Sequence, residues 1–161
     1  MSVREAEHAA EQLLGPSPSV PVNPEAIARS LGIVVRHASL PPDQSGKIVI
    51  PPNGVSVIII NEYDHPNRQR FTCAHEIGHY HQRRSRAQNG PTTFVDYRDT
   101  LAGLGQDPEE IFANQFAAAL LMPAGVVARY HRQGCGAEAL AVMFGTSVQA
   151  MNLRLRNLSL A

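Results

Sequence analysis

His75-Glu76-Ile77-Gly78-His79 carries the clearest chemistry in this 161-residue chain. On a helix, positions i and i+4 lie on one face, one turn apart. Two imidazoles placed there can share one metal ion. The Glu that follows the first His points beside the ion and not onto it. From that position it can act as the base for a water that the metal has made acidic. The plainer reading is two surface histidines on an amphipathic helix. The setting favours the metal, because the pattern lies in a helical stretch after a β-branched run, with Phe71, Ala74 and Ile77 available to pack behind it.

A catalytic zinc usually has three protein ligands and an open position. The third must come from elsewhere in the chain. Glu109 and Glu110 stand at the head of a strongly apolar helix, where a carboxylate is costly unless a cation offsets it. Glu110 shares a helical face with Asn114 and Leu121, and Glu109 shares one with Phe116 and Leu120. Glu110 also lies three residues after Asp107, the spacing of a capping box, so a structural role alone would explain it. His81 and His131 are the remaining candidates. His81 is two residues past His79, about 200° around the helix, and faces away. His131, Tyr97, Tyr130 and Tyr80 could stabilise a tetrahedral transition state, although residues of these types more often serve simple packing. Arg68, Arg70, Arg83, Arg84 and Arg86 flank the motif and read as a solvated face or as contacts for an acidic substrate. Cys73 reads as a small packing residue.

These groups need a scaffold, and the sequence predicts an α+β one. Helices are expected at 3–14, at 24–31 behind the Asn23 cap and Pro24, and at 67–83 around the motif. Another is expected from Asp107 to Met122, followed by 124–132, 137–144 and 148–157, with Thr146 and Gln149 at capping-box spacing before the last. Strands are expected at 33–36, 46–50, 55–61 and 93–97, the middle two joined as a hairpin through Pro51-Pro52-Asn53-Gly54. Loops are expected at 84–92 and 102–105.

Composition limits the function classes. Apolar residues make up 43% and charged residues 17%, as in a globular domain, and 161 residues suit a single one, residues 1–161. Lys plus Arg and Asp plus Glu are 14 each, so no net basic field favours nucleic acid. No apolar run is long enough to span a bilayer. With two cysteines and no signal-peptide core, a reducing cytoplasm is the expected location.

Two blocks resemble the signatures of the ImmA/IrrE family of metallopeptidases: Arg68-Gln-Arg-Phe-Thr-Cys-Ala-His-Glu-Ile-Gly-His79 and Glu110-Ile-Phe-Ala-Asn-Gln-Phe-Ala-Ala-Ala-Leu-Leu-Met-Pro123. The opening segment Pro21 to Gly32 and the tail Leu140 to Met151 also resemble it. The resemblance implies a zincin-like fold, a small and mostly antiparallel sheet packed on the motif helix, with a helical C-terminal part. It implies a zinc ion held by His75, His79 and a Glu at the start of the second block, with Glu76 as base. Manganese is an alternative occupant. The family motif often has glutamates four and two residues before the Asn. Here these positions are Glu110 and Phe112, which favours Glu110 over Glu109.

Relatives in that family cleave helix-turn-helix repressors, so the resemblance implies a repressor or antitoxin as protein substrate. About twenty residues precede Asn23, which reads as a stand-alone peptidase acting on a separate protein. The expected mode of binding is addition of a substrate strand to a sheet edge formed by 55–61. Two rivals remain. One is a metal-binding regulator that engages its partner without efficient proteolysis. The other is a DNA-associated module using the helix-turn-helix-like tail, residues 137–157, through Gln149, Asn152, Arg154 and Arg156. The zero net charge argues against direct DNA binding.

Overall fold

The computed structural model describes residues 2–86, 92–97 and 107–161. Helix α1 (Val3–Leu14) starts at Ser2, whose hydroxyl accepts from Glu5 N–H in a capping box. Helix α2 (Pro24–Ser30) is capped by the Asn23 side chain. Strands β1 (Val34–Ala38), β2 (Gln44–Ile50) and β3 (Val57–Asn61) follow, then the long motif helix α3 (Pro66–Arg86) and strand β4 (Thr92–Tyr97). Helices α4 (Pro108–Leu121), α5 (Ala124–Arg132), α6 (Ala137–Phe144) and α7 (Val148–Asn157) complete the order. The loop expected at 102–105 lies outside the described residues, as do residues 87–91 of the one expected at 84–92. Residues 84–86 belong to α3.

The fold is α+β, with a mixed sheet in the order β1-β3-β2-β4. β2 pairs antiparallel with both β3 and β4, and β1 runs parallel to β3. The expected hairpin forms, but β3 is not an edge: both of its sides are taken, by β1 and β2. A substrate strand therefore cannot add to 55–61. β1 connects to the far side of the hairpin by a crossover, which a local sequence pattern does not encode. Among the described residues the edges are β1 and β4.

One face of the sheet packs on α3. Strand alternation sends Ile48, Ile50, Ile58 and Ile60 inward, all buried, against Ala74 and Ile77. On its other side α3 meets α4, whose Phe112, Phe116, Leu120 and Leu121 are buried. Gly78 sets this approach. A Cβ there would lie 3.0 Å from Ala113 Cα and 3.2 Å from Phe116 Cδ1. Gly78→Val is therefore expected to force the two helices apart and cost about 2–3 kcal/mol, in the upper range for overpacking a close contact. Denaturant unfolding of the metal-free variant measures this. An unchanged midpoint would show that the contact is not tight.

The tail helices are bound to the body by two arginines. Arg70 of α3 donates to the carbonyls of Val22, Phe144 and Gly145, closing the C-terminal end of α6. Arg154 of α7 is buried, donates to Met122 O and pairs with Glu7 of α1. Arg154 is thus committed inward and not offered to a nucleic acid backbone. The cap of α7 is Ser147, one residue after the Thr146 expected from sequence. No single described helix is long and apolar enough to cross a membrane.

Candidate functional site

Helix α3 presents His75, Glu76 and His79 on its buried side, exposed by 2%, 0% and 1%. Glu110, in the first turn of α4, comes to meet them. Its Oε2 lies 3.1 Å from His75 Nε2 and its Oε1 lies 2.9 Å from His79 Nε2. The capping role is taken by Asp107, whose side chain accepts from Glu109 N–H, while the Glu110 carboxylate turns toward the histidines.

The hydrogen bonding bears on whether the trio suits a cation. His75 Nδ1 lies 2.8 Å from Asn114 Oδ1, one turn along α4 from Glu110. With Nδ1–H donating to that oxygen, the neutral ring keeps its Nε2 lone pair facing a carboxylate oxygen. A lone pair facing a carboxylate needs a cation between them, either a proton or a metal ion. Among the described residues His75 Nε2 is near Glu110 without a hydrogen bond, and His79 Nδ1 is likewise buried without a partner. Burial lowers the proton affinity of His75, but the adjacent Glu110 carboxylate and the charges of Asp96 and Glu76 more than offset this, raising its pKa to about 9. The same two imidazoles overcome desolvation at Glu110 and hold its carboxyl well below the usual range.

The three donors fit a divalent cation. Their ligand atoms all lie within 4.8 Å of one another. Tetrahedral zinc would require separations of ~3.3 Å, given metal–ligand distances of ~2.0–2.1 Å. One Glu110 oxygen lies 3.1 Å from His75 Nε2 and the other 2.9 Å from His79 Nε2, close to that spacing.

Glu76 is the second unusual group. Both carboxylate oxygens are buried with no hydrogen-bond partner among the described residues. Burial raises its pKa well above the usual range; neighbouring Asp96 and Glu110 raise it further and His75 opposes. A buried carboxylate in this state is costly, and a cation at the adjacent donors would relieve it.

Strand β4 forms the third wall. Gly46 of β2 sits opposite Asp96, and Ile48 opposite Phe94, so all four face α3. A Cβ on Gly46 would collide with Thr72 Cγ2 and the Ile59 carbonyl oxygen, so glycine there lets the sheet approach α3. Phe94 then stacks on His79 with centroids 4.2 Å apart. A carboxylate oxygen of Asp96 lies within 4.8 Å of donor atoms of both His75 and Glu76. Asp96 is in turn held by Arg68 Nη2 at 3.4 Å. Neither Phe94 nor Asp96 was singled out from the sequence. The only available signal was the alternation of a six-residue strand whose partner is about fifty residues away.

The other sequence candidates make these contacts. Tyr80 lies beneath the Arg84 guanidinium and lines a cleft of about 370 Å³ with Pro51, Val55 and Arg83. Tyr97 follows Asp96 on the opposite side of β4 and is 41% exposed. Tyr130 packs beneath Arg129 on α5. No hydrogen bond, ion pair or ring contact joins His131 to the trio among the described residues. His81 stacks against Phe112 and Phe116 on the far side of α3. Cys73 is buried, and desolvation pushes its thiol up to about 12, consistent with packing and not nucleophilic chemistry.

A family model described as IrrE N-terminal-like domain (Peptidase_M78) matches residues 28–156. Uncharacterized immunity region protein 2 of Bacillus phage phi105 is 30% identical over 97 residues, 60% of this chain and 57% of that protein. A Mycobacterium tuberculosis transcriptional regulator of known structure is similar with a TM-score of 0.66 at 18% identity, over 94% of this chain and 46% of that one. The chain therefore spans little more than half of the phage relative and less than half of the regulator. The likeness to the regulator is one of fold.

Proposed function

We propose that this chain, which belongs to the IrrE N-terminal-like domain family (Peptidase_M78), is a zinc-dependent endopeptidase that cuts one regulatory protein. The observation that carries this reading is the convergence of His75, His79 and Glu110 beside a buried, unpartnered Glu76. His75, His79 and Glu110 would hold the metal, zinc by donor chemistry, with manganese as the alternative. Zinc bound there supplies a Lewis acid for a peptide carbonyl and lowers the pKa of water. Glu76 takes the proton from the attacking water and later delivers it to the leaving amine. Asn114 fixes the His75 ring, and Phe94 fixes the His79 ring. An extended substrate segment adds to the β4 edge, which runs beside α3, in place of the interior β3. Residues 1–161 act as one unit, with the tail helices tied to the body by Arg70 and Arg154.

One relative supports the substrate class. The phage relative is named for an immunity region, which supports a repressor or antitoxin as partner. The test is to mix the metal-loaded protein with the repressor or antitoxin encoded beside its gene, with and without a chelator, and read products by mass spectrometry. Discrete fragments that the chelator abolishes are expected. Binding without fragments would favour a regulator that engages its partner without cutting it.

A further inference from the structure

Hydrolysis through this site needs a group that receives negative charge on the carbonyl oxygen. Tyr80, Tyr97, Tyr130 and His131 have the right chemistry, but among the described residues no hydrogen bond, ion pair or ring contact joins Tyr80, Tyr130 or His131 to the His75, His79 and Glu110 set, and Tyr97 is 41% exposed on the opposite side of β4 from Asp96. Resting on the peptidase reading above, we propose that Arg68 is a further catalytic residue, a donor to the oxyanion of the tetrahedral intermediate.

Arg68 lies seven residues before His75, two turns along the same face of α3. Its Nε donates to the buried Ser45 hydroxyl at 3.1 Å. Both of its contacts to Asp96 come from the single nitrogen Nη2, at 3.4 and 3.5 Å. An arginine serving only to neutralise a buried carboxylate usually engages it with a two-nitrogen fork. Here Nη1 has no partner among the described residues, and the side chain is 26% exposed. The guanidinium is thus held on one edge and open on the other. Asp96 connects the two places, because it touches Arg68 and also lies within 4.8 Å of donor atoms of His75 and Glu76. The Phe71 ring, 5.9 Å from Arg68 Cζ, further limits where the guanidinium can go.

The step balances without a further reactant. The water oxygen bonds to the carbonyl carbon, its proton passes to Glu76, and the carbonyl π pair moves onto oxygen. Arg68 donates to that oxygen. The pair returns as the C–N bond breaks, and Glu76 hands its proton to the departing amine. Donors of this kind act because they are already aimed where charge develops.

The test uses methylphosphonate, a tetrahedral anion, titrated into the cobalt-loaded protein and followed by visible absorption. Arg68→Gln is expected to weaken its binding at least tenfold, with cobalt content and the anion-free spectrum unchanged. Arg68→Lys should recover part of the loss. Asp96→Asn keeps the guanidinium and should bind the anion as tightly as wild type or more so. The double variant Arg68→Gln/Asp96→Asn leaves no buried charge unpaired and should bind as weakly as Arg68→Gln, which keeps the test open if the single variant does not fold. Unchanged affinity in the Arg68→Gln or double variant would overturn the proposal. An equal loss in Asp96→Asn would assign the effect to structure, and no binding by cobalt-loaded wild type would also reject it. A wild-type protein that takes up no metal would reject the peptidase reading itself.

Discussion

Exchanging Glu76 for Gln is expected to leave metal content unchanged and to reduce peptide-bond cleavage by roughly 10²–10⁴-fold, the usual contribution of a positioned general base. The amide has the shape of the carboxylate but cannot take a proton from water. Among the described residues neither Glu76 oxygen has a hydrogen-bond partner, so no hydrogen bond of the site depends on the carboxylate. The substitution should therefore spare the donors His75, His79 and Glu110. The same observation predicts an opposite effect on folding. Burial raises the Glu76 pKa well above its ordinary 4.5, so the folded state binds a proton more tightly than the unfolded state. A group shifted upward makes stability fall as pH rises from the unfolded value through the folded one. At neutral pH the metal-free wild type carries that cost and Glu76→Gln does not. Thermal unfolding of the metal-free variant at pH 7 should give a Tm above wild type. Wild-type cleavage rates in Glu76→Gln would remove the residue from the reaction. A lower Tm would mean that the carboxylate has a structural partner.

Much of this centre was legible because its signals are local. Two histidines at i and i+4 mark one face of one helix, and a carboxylate at the head of an apolar helix stands out because burial there needs a cation. Helix caps are equally local: Ser2, Asn23 and Asp107 all accept backbone N–H groups at helix starts. The signal can still slip by a residue. Thr146 and Gln149 have capping-box spacing, yet Ser147 caps α7 while the Thr146 hydroxyl is buried without a hydrogen-bond partner.

Features that depend on long-range pairing were not legible. The 46–50 and 55–61 runs predict a hairpin correctly, but a hairpin does not say what lies on its outer sides. The parallel pairing of β1 with β3 turned an expected edge into an interior strand. Asp96 sits in Val95-Asp96-Tyr97, which reads as an ordinary strand end. It becomes part of the site because its register partner is Gly46, where the missing Cβ lets the sheet approach α3. Arg68 and Arg154 show the same limit from the side of charge. Each reads as solvated or DNA-facing in sequence, and each pairs with a carboxylate from a distant element, Asp96 and Glu7 respectively.

Glu110→Ala should weaken zinc binding by at least ~10²-fold, beyond the 10–100-fold typical of removing a group that only supports a ligand. Glu109→Ala should change it by no more than about threefold, as expected where no metal-facing group is lost. The two residues are adjacent in sequence, equally charged and both in the first turn of α4. Helix-dipole and net-charge effects are therefore nearly matched, and the comparison isolates position. Glu110 spans the two imidazoles, with one oxygen 3.1 Å from His75 and the other 2.9 Å from His79. Its removal leaves two buried rings without the counter-charge that holds a cation. If Glu110 served only to start the helix, alanine would cost about 1 kcal/mol of stability with metal affinity intact. The geometry argues against that, since Asp107 already accepts the N–H of Glu109. Competition with a chromophoric chelator gives the affinities, and denaturant unfolding gives the stabilities. Equal losses in the two variants would return the third ligand to the open question left by the sequence. A selective loss in Glu110→Ala would assign it to Glu110 and join α4 to α3 through the metal as well as through Gly78.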